Sequence, residues 1–212
     1  MEYFQLAKSL NERFREELLK KEAHFRGSVN SLSLISLNKE TPEMGVGNIK
    51  TEARAVEELQ KFNPEKPKRN TPEKSLQSWI ILNAMRNNNV LPFGDNLTFI
   101  TSELAIVLED GRKVVNDILA VDKDNSLVVV ELKSERVNSV KEQALDFKGI
   151  IEARQEFFKQ LTELMTGKNW NGNVKCAIVW KKSHGTPQPA KDEHKKIDVF
   201  EYSEHPNHYT FD

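Results

Sequence analysis

One cysteine, Cys176, is present in the 212 residues of this chain. A lone cysteine excludes an intramolecular disulfide framework and a paired-cysteine metal site. Cys176 sits inside the apolar run 174–180, where it reads as a buried small hydrophobe and not as a nucleophile. Charge of one sign is missing as well: 31 basic residues face 32 acidic ones, leaving a formal net charge of −1. No global basic field announces a polyanion binder, so any contact with nucleic acid has to come from a local surface. No stretch has the length and apolarity of a membrane span, and the opening residues Met1-Glu2-Tyr3-Phe4-Gln5 carry no apolar run of signal length. The expectation is a soluble, cytoplasmic protein with no membrane partner. A phosphate-cradling glycine loop and a Gly-X-Ser-X-Gly elbow are both absent, which removes P-loop nucleotide hydrolysis and serine-hydrolase chemistry. His24, His184, His194, His205 and His208 are scattered without metal-ligand spacing.

What is present divides into two parts. Residues 2–23 place Phe4, Ala7, Leu10, Phe14 and Leu18 at helical spacing among charged residues, an amphipathic helix. Residues 31–37 alternate Ser and Leu before slipping phase at Leu34-Ile35, as a bulged strand would. Residues 40–48, with Pro42, Gly45 and Gly47, read as a loop, and 49–62 as a second helix with Ala53, Val56 and Leu59 inward. Residues 63–70 hold Pro64 and Pro67 beside Lys66, Lys68 and Arg69, a linker composition. The expected organisation is a mainly helical N-terminal extension at 1–62, a linker at 63–70 and a larger domain at 71–212.

That second part opens on Thr71-Pro72-Glu73, a cap residue followed by proline in the first helical position. The apolar run 104–108 and a strand from about Val114 are joined through Asp110-Gly111, a hairpin signal. Two short segments then carry the chemistry: Asn116-Asp117-Ile118-Leu119 and Val130-Glu131-Leu132-Lys133, separated by the turn formers Asp122-Lys123-Asp124-Asn125-Ser126. Strand side chains alternate faces, so Glu131 and Lys133 share one face. A hairpin centred on Asp124 sets Asp117 opposite Glu131 and Leu119 opposite Val129. Two carboxylates and an ammonium then gather at one place beside apolar strand positions. A folding core has no use for such a group, whereas a divalent-metal site does.

This pattern resembles the PD-(D/E)XK nuclease superfamily, with Asp117 as the first acid, Glu131-Leu132-Lys133 as the second element, and Asn116 where proline often stands. The resemblance covers roughly residues 73–180 and includes its context: a helix before, a hairpin through the motif, a long helix at 138–165, and an apolar strand at 174–180. It implies an α/β fold with a restriction-endonuclease-like core, a central mixed sheet flanked by helices, here behind an N-terminal helical extension. It implies a metal-dependent nuclease, with DNA as the expected partner and a homodimer as a possible assembly for duplex cutting. Asp117, Glu131 and the backbone carbonyl of Leu132 offer the hard oxygens that Mg²⁺ prefers, with Mn²⁺ as substitute, and Lys133 stands beside them to act on water and phosphate.

Two further residues follow from the resemblance alone. Glu73 matches a glutamate that the preceding helix often supplies, although an acid in a first turn is favoured by the helix dipole in any case. Glu103, just before the run 104–108, is the competing third acid. Gln143, early in the following helix, matches a glutamine that lines the site in several branches; a surface glutamine would look the same. Lys141 and Lys148 on that helix are phosphate-contact candidates. The rival readings are a nucleic-acid-binding module of the same fold without catalysis, and a protein-assembly subunit in which the acidic cluster is incidental.

Overall fold

A computed structural model describes residues 1–27, 32–36, 44–49, 51–62, 71–135, 140–185, 197–206 and 208–212. Its contacts divide the chain into two units, Met1–Asn89 and Val90–Asp212. The division falls after the helix that follows the expected linker, so this helix groups with the N-terminal residues; the linker itself, 63–70, lies outside the described residues.

The first unit contains α1 (Glu2–Arg13), α2 (Arg15–Lys20), β1 (Ala23–Gly27), β2 (Leu32–Ser36), β3 (Met44–Ile49), α3 (Glu52–Lys61) and α4 (Pro72–Arg86). Beside its helices it carries a small antiparallel sheet, β1, β2 and β3 in that order. The expected helix over 2–23 is broken at Phe14, and its apolar stripe of Phe4, Ala7, Leu10 and Leu18 is buried. Asn11 on α1 holds the edge of β1, donating from Nδ2 to the Phe25 carbonyl at 2.7 Å and accepting the Phe25 N–H at 2.8 Å. The strand expected at 31–37 is β2, whose pairing to β3 shifts register between Leu32 and Leu34. Residues 44–48, expected within a loop, and Ile49, expected to open the second helix, instead form a strand. On α3 the inward residues are Ala55, Glu58 and Leu59, whereas Ala53 is exposed. Glu58 tolerates burial because Arg54 pairs with it at 2.5 Å, one turn back. Thr71 caps α4 by accepting the Lys74 N–H, with Pro72 opening the helix.

The second unit is an α/β fold around a six-stranded mixed sheet in the order β4-β5-β6-β7-β8-β9. The strands are β4 (Thr98–Val107), β5 (Lys113–Val121), β6 (Leu127–Lys133), β7 (Val174–Lys181), β8 (Ile197–His205) and β9 (His208–Phe211). Pairing is antiparallel through β4, β5 and β6, parallel from β6 through β8, and antiparallel again to β9. All seven residues of β6 are buried, as a central strand covered on both faces requires. The helix α5 (Val140–Ala153) packs on β5, β6 and β7 through Val140, Ala144, Phe147 and Ile151, and α6 (Gln155–Thr166) packs on β4. The one long helix expected here is thus two, broken at Arg154, with Phe147 and Phe158 meeting edge-to-face across the break at 6.2 Å. Gly167 ends α6 at φ 72°, a left-handed conformation that glycine adopts without steric cost. Cys176 is buried, its Sγ 3.5 Å from the Ala144 carbonyl, and burial pushes its thiol up to about 11. In chain order, α4, the β5–β6 hairpin, α5 and β7 reproduce the succession of elements that the sequence implied.

The β5–β6 turn fixes the register on which the site depends. Asp122 Oδ1 accepts the N–H groups of Asp124 and Ser126 at 2.9 and 2.8 Å, and Asn125 takes a left-handed φ of 63°. Lys175 pairs with Asp122 Oδ2 from the neighbouring strand β7. Burial alone would raise the Asp122 carboxyl; the Lys175 contact and the two N–H donors outweigh it and hold the group below its ordinary value. Asp122→Ala is expected to cost about 2 kcal/mol of stability, read as a lower urea midpoint at pH 7. Because the folded carboxyl is depressed, the difference should vanish as pH falls through its folded pKa. A variant with an unchanged midpoint at pH 7 contradicts this account of the turn.

Candidate active site

The hairpin pairs Ile118 with Val130, Leu119 with Val129, Ala120 with Val128 and Val121 with Leu127. This is the register expected from a turn centred on Asp124. The backbone ladder stops at Ile118 and Val130, and side chains continue the connection beyond it. Asp117 Oδ2 accepts the Leu132 N–H at 2.9 Å, and Asn116 Nδ2 donates to the Val130 carbonyl at 3.2 Å. The motif residues lie just beyond the end of this ladder.

Asp117 and Glu131 are hydrogen-bonded to one another. Glu131 is 3 % exposed, and Lys133 is 8 % exposed with its Nζ 4.0 Å from Glu131 Oε2. Burial is the largest influence on Glu131, followed by the negative charge of Asp117; together they push its carboxyl up to about 9. Lys133 opposes the shift, the bond with Asp117 adds to it, and a hydrogen bond from Asn116 opposes it again. Two carboxylates this close, with so little water, cannot both ionise beside a single ammonium. Once both are ionised, the donor set is two hard anionic oxygens with a lysine alongside, which suits Mg²⁺ or Mn²⁺. Among the described residues no group of three His, Cys, Asp or Glu side chains is placed to hold a metal ion. A hexacoordinate cation here would therefore complete its shell from backbone, water and phosphate, the habit of Mg²⁺ sites.

The remaining candidates are placed as follows. Glu103 lies on β4 between the pairs Ser102–Ile118 and Leu104–Asn116, level with Asp117, and its φ of 53° is unusual for a non-glycine residue within a strand. Glu73 is in the first turn of α4 and belongs to the first unit, whereas Asp117, Glu131 and Lys133 belong to the second. Gln143 stands exposed on the first turns of α5. Lys141 is half-buried on the same helix, and Lys148 pairs with Glu152 at 3.7 Å.

One residue of the cluster carries no role in the sequence reading. Asn116 is fully buried, and its Nδ2 also lies 3.4 Å from Glu131 Oε1, so it touches the second acid of the motif directly. Its polarity within an otherwise apolar strand was the available signal.

No protein-family model matches this chain, and no characterised relative matches it by sequence. Several solved structures are similar to it, two of them endonuclease structures. One is a repair endonuclease from Pyrococcus abyssi, at 17% identity over 55% of this chain and 40% of that one, with a TM-score of 0.24. The other is an EndoMS–dsDNA complex, at 14% identity over 86% of this chain and 66% of that one, with a TM-score of 0.32. The chain spans less than two thirds of the length of either. No residue role is transferred from them.

Among the described residues, no helix is long and apolar enough to cross a membrane.

Proposed function

We propose that this protein is a metal-dependent nuclease, a DNA endonuclease of the PD-(D/E)XK type, hydrolysing phosphodiester bonds at Asp117, Glu131 and Lys133. The observation that carries this reading is the gathering of half-buried Asp117 with buried Glu131 and Lys133 at the end of the hairpin, Asp117 Oδ2 accepting the Leu132 N–H at 2.9 Å and the Lys133 ammonium 4.0 Å from Glu131. An arrangement that disfavours its own ionised form is poor as a structural device and well suited to a divalent cation.

Asp117 and Glu131 would hold the cation through their carboxylates, with the Leu132 carbonyl as a further oxygen. The chemistry that Mg²⁺, or Mn²⁺ in its place, would supply there is a water of lowered pKa and neutralisation of charge on the scissile phosphate. Lys133, restrained beside the two carboxylates, orients the attacking water or takes its proton, and contacts a phosphate oxygen. The burial of Glu131 and Lys133 excludes competing water and strengthens each of these interactions. Gln143 and Glu73 are assigned as accessory residues, Gln143 near the phosphate backbone and Glu73 as the third acid, with Glu103 as its competitor. A homodimer would bring two such centres to a duplex.

The test is incubation with supercoiled plasmid, single-stranded DNA and RNA, each with Mg²⁺, with Mn²⁺ and with EDTA. Nicking or degradation of DNA in both metals, none in EDTA, and recovery when Mg²⁺ is restored in excess are the expected results. Equal cleavage in EDTA refutes the metal centre, and RNA cleaved to the exclusion of DNA refutes the substrate.

A further inference from the structure

Asn116 occupies the variable first position of the motif, yet it is as buried as any residue of the core and faces two groups at once. Its Nδ2 donates to the Val130 carbonyl at 3.2 Å and lies 3.4 Å from Glu131 Oε1, while its own Oδ1 is buried without a hydrogen-bond partner among the described residues. An orphaned buried carbonyl costs about 1–3 kcal/mol, so this orientation of the amide is kept in spite of that cost. The two oxygens of Glu131 are thereby distinguished: Oε1 meets the Asn116 amide, and Oε2 is the oxygen 4.0 Å from Lys133 Nζ.

We infer that Asn116 is a positioning residue, holding the Glu131 carboxylate through Oε1 so that Oε2 is presented on the Lys133 side, and so setting the affinity of the centre for a divalent cation. The inference rests on the metal-centre reading above and adds to it a residue that acts through Glu131. Val130 contributes through its backbone carbonyl alone: the second acceptor anchors the amide so that it cannot swing away from Glu131. Partners that orient a metal ligand in this way typically change metal affinity 10–100-fold when removed.

The test is Mn²⁺ binding by calorimetry to wild type, Asn116→Leu and Asn116→Ala. Leucine keeps the approximate volume without a donor; alanine removes the donor without adding bulk or charge. In this measurement the stoichiometry reports how much protein is folded, whereas the dissociation constant reports the site. The expected result is a dissociation constant raised about 10–100-fold in each variant at unchanged stoichiometry. Wild-type affinity in a folded Asn116→Leu protein overturns the inference alone. Should that variant fail to fold, Asn116→Ala decides by the same criterion. A reduced stoichiometry with an unchanged constant shows a purely structural role and also overturns it. A wild-type protein that binds no Mn²⁺ overturns the metal centre itself, and the positioning role with it.

Discussion

Alanine at Asp117, Glu131 or Lys133, one at a time, is expected to lower metal-dependent cleavage by on the order of 10³-fold while the protein stays folded. Asp117→Ala removes one proposed anionic ligand and also the acceptor that ties the Leu132 N–H beyond the end of the backbone ladder. Glu131→Ala removes the other proposed ligand and the carboxylate 4.0 Å from Lys133. Lys133→Ala keeps both carboxylates but takes away the group proposed to act on the attacking water. Since the three act as a unit, a double substitution should be little worse than a single one. Initial rates of plasmid nicking measure the loss, and circular dichroism with urea unfolding confirms the fold. Retained cleavage in any two of the three variants would sink the assignment.

Glu131→Gln is expected to do something less usual: to stabilise the metal-free protein while abolishing its activity. The Glu131 carboxyl is raised to about 9 from an ordinary 4.5, so the folded protein keeps a proton that the unfolded chain gives up near pH 4.5. Stability from this group is greatest at low pH and declines as pH rises through the interval between those two values. At pH 7 the loss relative to a neutral side chain is on the order of 3 kcal/mol. Glutamine removes the ionisation and with it the loss. In EDTA the variant should therefore unfold several degrees above wild type at pH 8 and close to it at pH 4, by calorimetry. With Mg²⁺ added the order should narrow or reverse, because the cation stabilises only a folded form that can bind it. A variant less stable than wild type at pH 8 in EDTA contradicts the electrostatic account of the pair.

The hairpin was legible because independent local signals agree on it. Turn formers at 122–126 and the strand period of two allow one register that buries the Leu119 and Val129 positions, and that register sets Asp117 level with Glu131. The break at Arg154 does leave a mark in the sequence: Arg154 and Gln155 fall where the stripe of Val140, Ala144, Phe147 and Ile151 would next continue, and it resumes only at Phe158, whereas the change of partner from β6 and β7 to β4 is a tertiary fact. The strand β3 was hidden by Gly45 and Gly47, which argue for a loop, until its pairing with β2 is seen. Asn116 was misjudged for a sharper reason. Alternation puts it on the face opposite Asp117, and only the end of the backbone ladder at Ile118 and Val130 lets its side chain reach Glu131. Glu73 matches by position in the chain, a property that sequence reads well and that says nothing of distance.

The central claim is that Asp117 and Glu131 together hold a divalent cation. Anomalous diffraction from crystals grown with Mn²⁺ at millimolar concentration tests it most directly. The account predicts a manganese peak bonded to both carboxylates on the Lys133 side, absent from crystals of Glu131→Gln. Well-ordered wild-type crystals with no peak there, or with Asp117 and Glu131 still hydrogen-bonded to each other in the presence of the metal, would contradict it.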